Sequence, residues 1–201
     1  MIMGLHPVIK NRITQTTLSL IGGTTLLLAH SVSNANELDL RISNDSLHGN
    51  YSVTGQNSKT HFGMGYFYKN DETSINVANI DLHARDQTAI GNLPATVSVG
   101  MQGNFYKEEE FKGSAVGVGG SLRINVPSVP GISLETALHY APKVLSFGDS
   151  DEFRRFRFQT NYRIIENADI SVGYQYLNVG IDGGDNHSFE SRAFLGIKLK
   201  L

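Results

Sequence analysis

Apolar and polar positions alternate along the last fifteen residues of the chain. Apolar side chains occupy most odd positions between 189 and 201, and polar or charged side chains occupy most even positions, with Phe194 as the exception. A period of two places these two sets on opposite faces of a β-strand. We therefore predict a strand over residues 187–201 that has one apolar and one polar face.

The same alternation recurs through the chain, with turn-forming residues between the alternating segments. In residues 152–165, for example, Phe156 and Phe158 share one face, and Arg155 and Arg157 share the other. Short alternating strands separated by turns are typical of an antiparallel β-barrel. The pattern predicts strands near residues 38–42, 47–53, 60–69, 73–85, 95–106, 113–126, 132–140, 152–165, 168–179 and 187–201.

One predicted strand changes its alternation part way along. Ile75 and Val77 occupy odd positions, whereas Ile80 and Leu82 occupy even ones. A β-bulge adds one residue to a strand and would return all four side chains to one face. We therefore predict a bulge near Asn79.

Ten strands, with eight as the alternative, predict an all-β, transmembrane, up-and-down antiparallel barrel with both chain ends on one side. Short turns at 127–131 and 166–167 alternate with longer connections at 141–151 and 181–187. Short turns are typical of the periplasmic side of such barrels, so we predict periplasmic termini. Residues 86–94, which contain a glycine and a proline, are predicted to form a further connection.

Alternation alone does not decide which face points inward. A soluble barrel would bury its apolar face, whereas a transmembrane barrel turns that face toward lipid. Small residues on the polar face of residues 113–121 suit a crowded lumen, and aromatic residues near strand ends suit membrane interfaces. Both observations favour the transmembrane barrel. The aromatic residues are Tyr66, Tyr68, Phe105, Tyr106, Tyr140, Phe156, Tyr174 and Tyr176.

The first 35 residues have the layout of a secretory signal peptide. Two positive residues precede an apolar run over residues 18–29, and Ser33 and Ala35 offer small side chains before a cleavage site. This run is too short to span a membrane as a helix, which needs about 20 residues. We predict cleavage near Ala35, export in a Gram-negative bacterium, and an outer-membrane barrel over residues 36–201.

Charge and cysteine content narrow the choice of partners. The predicted signal peptide carries Lys10 and Arg12 and no acidic residue, so its loss would change the formal net charge from −2 to −4. A mildly acidic chain lacks the clustered basic surface that nucleic acids require. We therefore expect outer-membrane lipid, and no nucleic acid, as a partner. The chain has no cysteine, so strand pairing rather than disulfide bonds would have to close the fold.

Charged side chains occupy the polar faces of several predicted strands and would point into the barrel. They could form an electrostatic constriction that selects solutes, or they could pair with one another in a filled interior. Pairing is the simpler interpretation because unpaired charges are costly where the dielectric constant is low. The predicted lumen cluster contains Glu135, His139, Arg155, Arg157, Arg163, Glu190, Arg192 and Lys198, with Lys200 in the same row.

No residue pattern predicts catalysis, a cofactor or a metal site. Glu135 and His139 are four residues apart on one predicted strand, which separates them by about 13 Å. The chain has no G-x-S-x-G motif. Acidic side chains in residues 149–152 and 182–185 could bind a cation, but their spacing matches no EF-hand, and solvated loops are the simpler interpretation.

Two short motifs resemble the YfaZ family of proteobacterial outer-membrane proteins. Residues 173–178 are Gly-Tyr-Gln-Tyr-Leu-Asn, similar to a GYxYLN stretch of that family, and residues 139–142 are His-Tyr-Ala-Pro, similar to its aromatic-small-Pro step before a loop. The alternating glycines of residues 115–121 are also similar. The resemblance implies an outer-membrane barrel, sometimes described as porin-like, that the barrel assembly machinery inserts. Leu201 departs from the aromatic residue, commonly Phe, that usually ends such barrels.

Three functional hypotheses remain open. The favoured one is an outer-membrane barrel with a structural or a narrow, porin-like small-solute role. A second is an outer-membrane enzyme or surface-binding barrel that acts through the connections at 141–151 and 181–187. A third is a soluble periplasmic barrel that binds an apolar ligand inside.

Overall fold

A computed structural model describes residues 35–55, 59–71, 73–108, 111–181 and 186–201. Residues 1–34 of the predicted signal peptide and the acidic residues of 182–185 lie outside this part of the chain. Among the described residues, no helix is long and apolar enough to cross a membrane. The strands are β1 (Ala35–Ile42), β2 (Ser46–Thr54), β3 (Thr60–Asn70), β4 (Ser74–Ile90), β5 (Leu93–Glu108), β6 (Phe111–Asn125), β7 (Ile132–Ala141), β8 (Ser146–Gly148), β9 (Ser150–Ile165), β10 (Ala168–Ile181) and β11 (Asn186–Lys200).

The strands form one closed antiparallel barrel. Ten of them pair with a strand on each side, and the pairing of β1 with β11 joins the two ends of the sheet. Closure satisfies the backbone hydrogen bonds of β1 and β11, which an open sheet would leave unpaired. The prediction of ten strands, including the division near residues 44–46, is confirmed.

The short strand β8 takes no place in this ring. It follows a 3₁₀ turn over Lys143–Leu145 and pairs with residues 113–115 of β6. The pairing of β6 with β7 begins only at Val118, so β8 continues the sheet beyond the end of β7. Part of the predicted loop over residues 141–151 is therefore regular structure.

Both described chain ends lie at the same end of the barrel, which we call the terminal end, and we call the opposite end the loop end. The predicted connection over residues 86–94 is wrong, because β4 and β5 continue through it to a tight turn at Gly91 and Asn92. Gly91 has a φ of 60°, a conformation that glycine adopts at little cost and that tight hairpins require. This turn lies at the terminal end, where the connection is thus shorter than the sequence predicts.

Apolar side chains cover the outside of the barrel, and polar side chains fill much of the inside. Leu195 is 64% exposed and Leu138 is 56% exposed, whereas Lys198 is only 3% exposed and Gln159 is completely buried. This arrangement is that of a barrel that spans a membrane. The soluble alternative, which needs the apolar face inside, is wrong.

The predicted bulge near Asn79 is also wrong. The strand β4 pairs with β3 and β5 without a register shift along its length. Ile75 and Val77 point into the barrel, and Ile80 and Leu82 point outward. The change of alternation therefore marks a change inside the barrel, from an apolar lumen near Ile75 to a polar one farther along β4.

An apolar cluster fills the lumen at the loop end, and we call it the loop-end cluster. Its aromatic rings contact one another: Tyr106 stacks on Phe153 with ring centroids 6.0 Å apart and meets Phe189 edge-on at 5.8 Å. Tyr106 was predicted at the outer surface, and that prediction is wrong. The cluster contains Phe67, Ile75, Val77, Tyr106, Ala115, Ala141, Phe153, Leu177, Val179 and Phe189, with Phe111 and Leu145 packed against it.

Register shifts occur elsewhere in the barrel, and one of them is a β-bulge in β11. Leu177 of β10 faces Glu190, and the next residue of β10, Asn178, faces Ser188, so Phe189 is the extra residue. Phe189 and Glu190 are both buried inside the barrel. The prediction that Phe189 shares the outer face with Leu195 is therefore wrong, because the bulge turns Phe189 inward into the loop-end cluster.

Candidate functional site

A polar cavity of about 160 Å³ occupies the middle of the lumen. A second cavity of about 260 Å³ lies at the terminal end. The two cavities are neighbours because they share lining residues, and the larger volume reaches Leu201, which is 69% exposed. Both are polar and roomy enough for several water molecules. The shared residues are Glu37, Ser52, His61, Arg85 and Arg123.

A buried network of ion pairs crosses the central cavity. Arg157 Nη2 on β9 lies 2.6 Å from Glu135 Oε1 on β7, and Lys198 Nζ on β11 lies 3.1 Å from Glu135 Oε2. Lys198 Nζ also lies 3.2 Å from Glu37 Oε1 on β1. Both oxygens of Glu135 therefore have a cationic partner, which offsets the cost of burying this carboxylate.

Arg155 lies beside this network but has neutral partners. Its Nη1 donates hydrogen bonds to Gln102 Oε1 at 3.0 Å and to Asn79 Oδ1 at 3.3 Å. No described carboxylate lies within ion-pair distance of its guanidinium group. Arg155 is thus a cation in the cavity wall that amide oxygens orient and no acid neutralises directly.

His139 on β7 and His83 on β4 form a hydrogen-bonded row with Asp81, which also lies on β4. His139 Nε2 lies 2.8 Å from His83 Nε2, and His83 Nδ1 lies 3.2 Å from Asp81 Oδ1. Glu135 is occupied by its two cations, so it is not the partner of His139. The row orients His139 without placing it beside a nucleophile of the kind that hydrolysis requires.

Asp169 holds a second group of cations at the terminal end. Its oxygens lie 3.1 Å from Arg123 Nη2, 3.3 Å from Lys200 Nζ and 3.6 Å from Arg163 Nε. The side chain of Arg163 is half exposed there. Asp169 itself is buried, so solvent screens its ion pairs less than those of exposed groups.

Two predicted lumen residues lie toward the loop end. Glu190 accepts a hydrogen bond of 3.1 Å from Ser46 Oγ. Arg192 Nη2 lies 3.0 Å from Asp45 Oδ2 and 3.2 Å from Asp71 Oδ2. These contacts tie β11 to the turns that follow β1 and β3.

The predicted lumen cluster is therefore three groups at different heights. The central wall contains Glu135, His139, Arg155, Arg157 and Lys198, whereas Arg163 lies at the terminal end, and Glu190 and Arg192 lie toward the loop end.

Sequence reasoning missed several charged residues of the lumen wall, although each occupies a polar position in an alternating segment. Asp81 and His83, for example, lie on either side of the exposed Leu82. The missed residues are Asp39, Arg41, Asp81, His83, Arg123 and Asp169.

The acidic residues near the loop end have protein partners. Asp149 Oδ2 accepts a hydrogen bond of 3.0 Å from the backbone N–H of Lys112, Asp151 lies 2.9 Å from Lys143 Nζ, and Glu152 lies 2.7 Å from Arg154. Across the part of the chain that the structure describes, no group of three or more His, Cys, Asp or Glu side chains could hold a metal ion.

A family model described as YfaZ precursor matches residues 16–201 of the chain. No curated protein matches this chain. The family match thus covers the whole barrel and part of the segment before it.

Solved structures of outer-membrane barrels match the chain at low sequence identity. The outer membrane channel DcaP of Acinetobacter baumannii is 8% identical with a TM-score of 0.41, and the match covers 81% of this chain and 54% of that one, so this chain spans about half its length. The NanC porin is 13% identical with a TM-score of 0.42, covering 84% and 100% of the two chains. The KdgM porin in complex with disordered oligogalacturonate is 9% identical with a TM-score of 0.43, covering 83% and 99%.

Proposed function

The chain belongs to the YfaZ family, and we propose that its barrel is a narrow, porin-like path for small polar solutes across the outer membrane. The apolar outer face makes the barrel a membrane-spanning one, and barrels of this kind lie in the outer membrane of Gram-negative bacteria. The observation that carries the proposal is the polar cavity that continues from the terminal end to the middle of the lumen. A barrel with only a structural role needs no such space.

The chemistry of the cavity wall suits polar solutes. Charged and amide side chains of β1, β4, β5, β7, β9 and β11 point into the cavity, and they offer hydrogen bonds that replace part of the hydration of a solute. The network around Glu135 fixes the long side chains of Arg157 and Lys198. Passage would therefore be selective for size and hydrogen bonding.

The loop-end cluster controls this path. Phe153, Phe189 and Val77 are completely buried in it, and an apolar constriction excludes water and ions until it widens. We therefore expect low conductance with rare openings in the wild-type protein.

Conductance in planar bilayers tests the proposal. Phe153→Ala should raise the frequency or size of channel openings, because it removes a ring from the constriction. Phe158→Ala is the matched control, since Phe158 lies on the same strand but is exposed on the outer face. If neither the wild-type protein nor Phe153→Ala shows channel events, the conduction proposal fails.

Export and assembly are further parts of the proposal. The strand β1 begins at Ala35, so cleavage near that residue would leave the barrel complete, with its termini in the periplasm. N-terminal sequencing of the protein purified from membranes tests this site. Insertion by the barrel assembly machinery is expected to improve in Leu201→Phe, measured as the fraction of protein that reaches the outer membrane.

Surface binding at the loop end is a second candidate. Val144 is 78% exposed and Phe147 is 53% exposed, and both lie in the ordered segment between β7 and β9. Removal of both side chains should abolish binding of a surface ligand and leave conductance unchanged. If this candidate is an enzyme, His139→Ala should lose lipid or peptide turnover. Unchanged turnover would exclude a catalytic role for His139.

A further inference from the structure

The geometry points to a binding site for a small oxyanion, such as inorganic phosphate or acetate, at Arg155 in the central cavity. Arg41, Arg157 and His48 would complete it. The inference deepens the proposed function and rests on it for the route by which the anion arrives. The site itself consists of buried nitrogen atoms without hydrogen-bond partners beside a guanidinium group without an ion pair, within the described residues.

Arg155 supplies the central charge of the site. It is always protonated at physiological pH, and its two hydrogen bonds to Asn79 and Gln102 use only Nη1. The acid whose charge acts on it is Asp81, which is already paired with His83 at 3.2 Å. The remaining N–H groups of Arg155 can therefore donate to a ligand.

Arg41 and Arg157 add buried donors that lack acceptors. Arg157 Nη2 contacts Glu135, but its Nε has no hydrogen-bond partner among the described residues. Arg41 is only 3% exposed, and its Nε lies 3.4 Å from Asp39 Oδ1 without forming a hydrogen bond. An unmet buried donor is costly, and an oxyanion that accepts from both groups would remove that cost.

His48 completes the same wall. It lies directly opposite Arg41 in the pairing of β1 with β2, is 4% exposed, and its Nε2 has no partner in the described chain. Arg41, Arg155, Arg157 and His48 all line the central cavity and lie close enough to interact electrostatically. An anion among the three arginines would replace their mutual repulsion with attraction.

The acids of the same cavity have partners other than Arg155. Glu135 is occupied by Arg157 and Lys198, and Glu37 by Lys198. Glu190 accepts from Ser46, toward the loop end. Glu135 and Glu37 thus neutralise Arg157 and Lys198, and Asp39 lies beside Arg41. Arg155 keeps a charge without an ion pair among the described residues.

At the terminal end, positive charge also lies along the path by which an anion would approach the site. The cavity there is lined by Arg85, Arg123 and Lys200, of which Arg123 and Lys200 pair with Asp169. Arg85 has no ion pair among the described residues and supplies the positive charge. Arg85 donates to Thr54 Oγ1 at 3.3 Å, a neutral partner. A cationic entrance raises the local concentration of anions and speeds their entry.

Phosphorus NMR of inorganic phosphate tests the site. The purified barrel, in micelles of a detergent with a sugar headgroup, should broaden the phosphate line saturably, and acetate should compete. Arg155→Gln should weaken binding at least tenfold, and Arg155→Lys should weaken it less because the charge remains. Arg154→Gln is the matched control and should bind as the wild type does, because Arg154 is exposed on the outer face and pairs with Glu152. Heat-modifiable gel mobility confirms the folding of each variant.

The outcomes separate the site from the conduction path. Absence of saturable broadening with the wild type, or equal broadening with Arg155→Gln, overturns the site. If Arg155→Gln does not fold, Arg155→Lys and the acetate competition decide in the same way. Saturable binding without channel events in bilayers would retain the anion site and remove conduction. Channel events without saturable binding would retain conduction and remove the anion site.

Discussion

At the scale of single residues, glycines make room for the large polar side chains of the lumen. Gly63 on β3 lies opposite Asp81, and a Cβ atom on Gly63 would lie 2.5 Å from Asp81 Oδ2. Gly196 on β11 lies opposite Arg41, and a Cβ atom there would lie 3.0 Å from Arg41 Cγ. Glycine at these two positions leaves space for the charged side chains that face them.

Loss of the Glu135 carboxylate should destabilise the barrel strongly. Glu135→Gln leaves Arg157 and Lys198 without their shared counter-charge, and we expect a loss of about 3 kcal/mol in the free energy of unfolding. Glu152→Gln removes an exposed partner of Arg154 and should cost at most about 1 kcal/mol. Urea unfolding in lipid vesicles, followed by gel mobility, measures both. Equal losses would show that the central network does not stabilise the barrel.

The sequence indicates which residues point inward better than it indicates which of them meet. Alternation alone placed Glu135, Arg157 and Lys198 on the inner face, and they do lie there. The contact between Lys198 and Glu135 joins residues 63 positions apart. It depends on the register of every strand between them, and a local sequence pattern does not determine those registers.

At the scale of single strands, β6 approaches β7 closely at one glycine. A Cβ atom on Gly119 would overlap the carbonyl oxygen of Leu138, whereas one on Gly117 would make an ordinary contact of 3.5 Å with His139 Cβ. Gly119→Ala should therefore destabilise the barrel by about 1–3 kcal/mol. Gly117→Ala, on the same face of the same strand, should change stability little. Unfolding midpoints in urea distinguish them, and equal midpoints would contradict the close approach.

Strands with a polar inner face could be predicted well, and strands that enter the loop-end cluster could not. The strand β7 follows the predicted alternation throughout, with Glu135 and His139 inside and Leu138 outside. Ile75 and Phe189 are apolar but lie inside the barrel, so an apolar side chain is not always lipid-facing. The lumen itself is apolar at the loop end, and periodicity does not distinguish an apolar lumen from lipid.

At the scale of the whole molecule, the barrel has an interior of two kinds. The terminal half holds water-accessible cavities and ion pairs, and the loop half holds an apolar cluster packed like the core of a soluble protein. The first kind accommodates solutes and the second resists their passage. The proposed anion site lies on the polar side of this boundary.

Closure of a lipid-facing barrel between its first and last strands is the central claim, and disulfide formation tests it most directly. The natural chain has no cysteine, so introduced pairs report without interference. Leu40 lies opposite Ile197, and facing residues of antiparallel strands are within disulfide range. Leu40→Cys with Ile197→Cys should form a disulfide on mild oxidation of outer-membrane fractions. Leu40→Cys with Val172→Cys, two strands away, should not. Absence of the first disulfide, or recovery of the protein in the soluble fraction, would contradict the account.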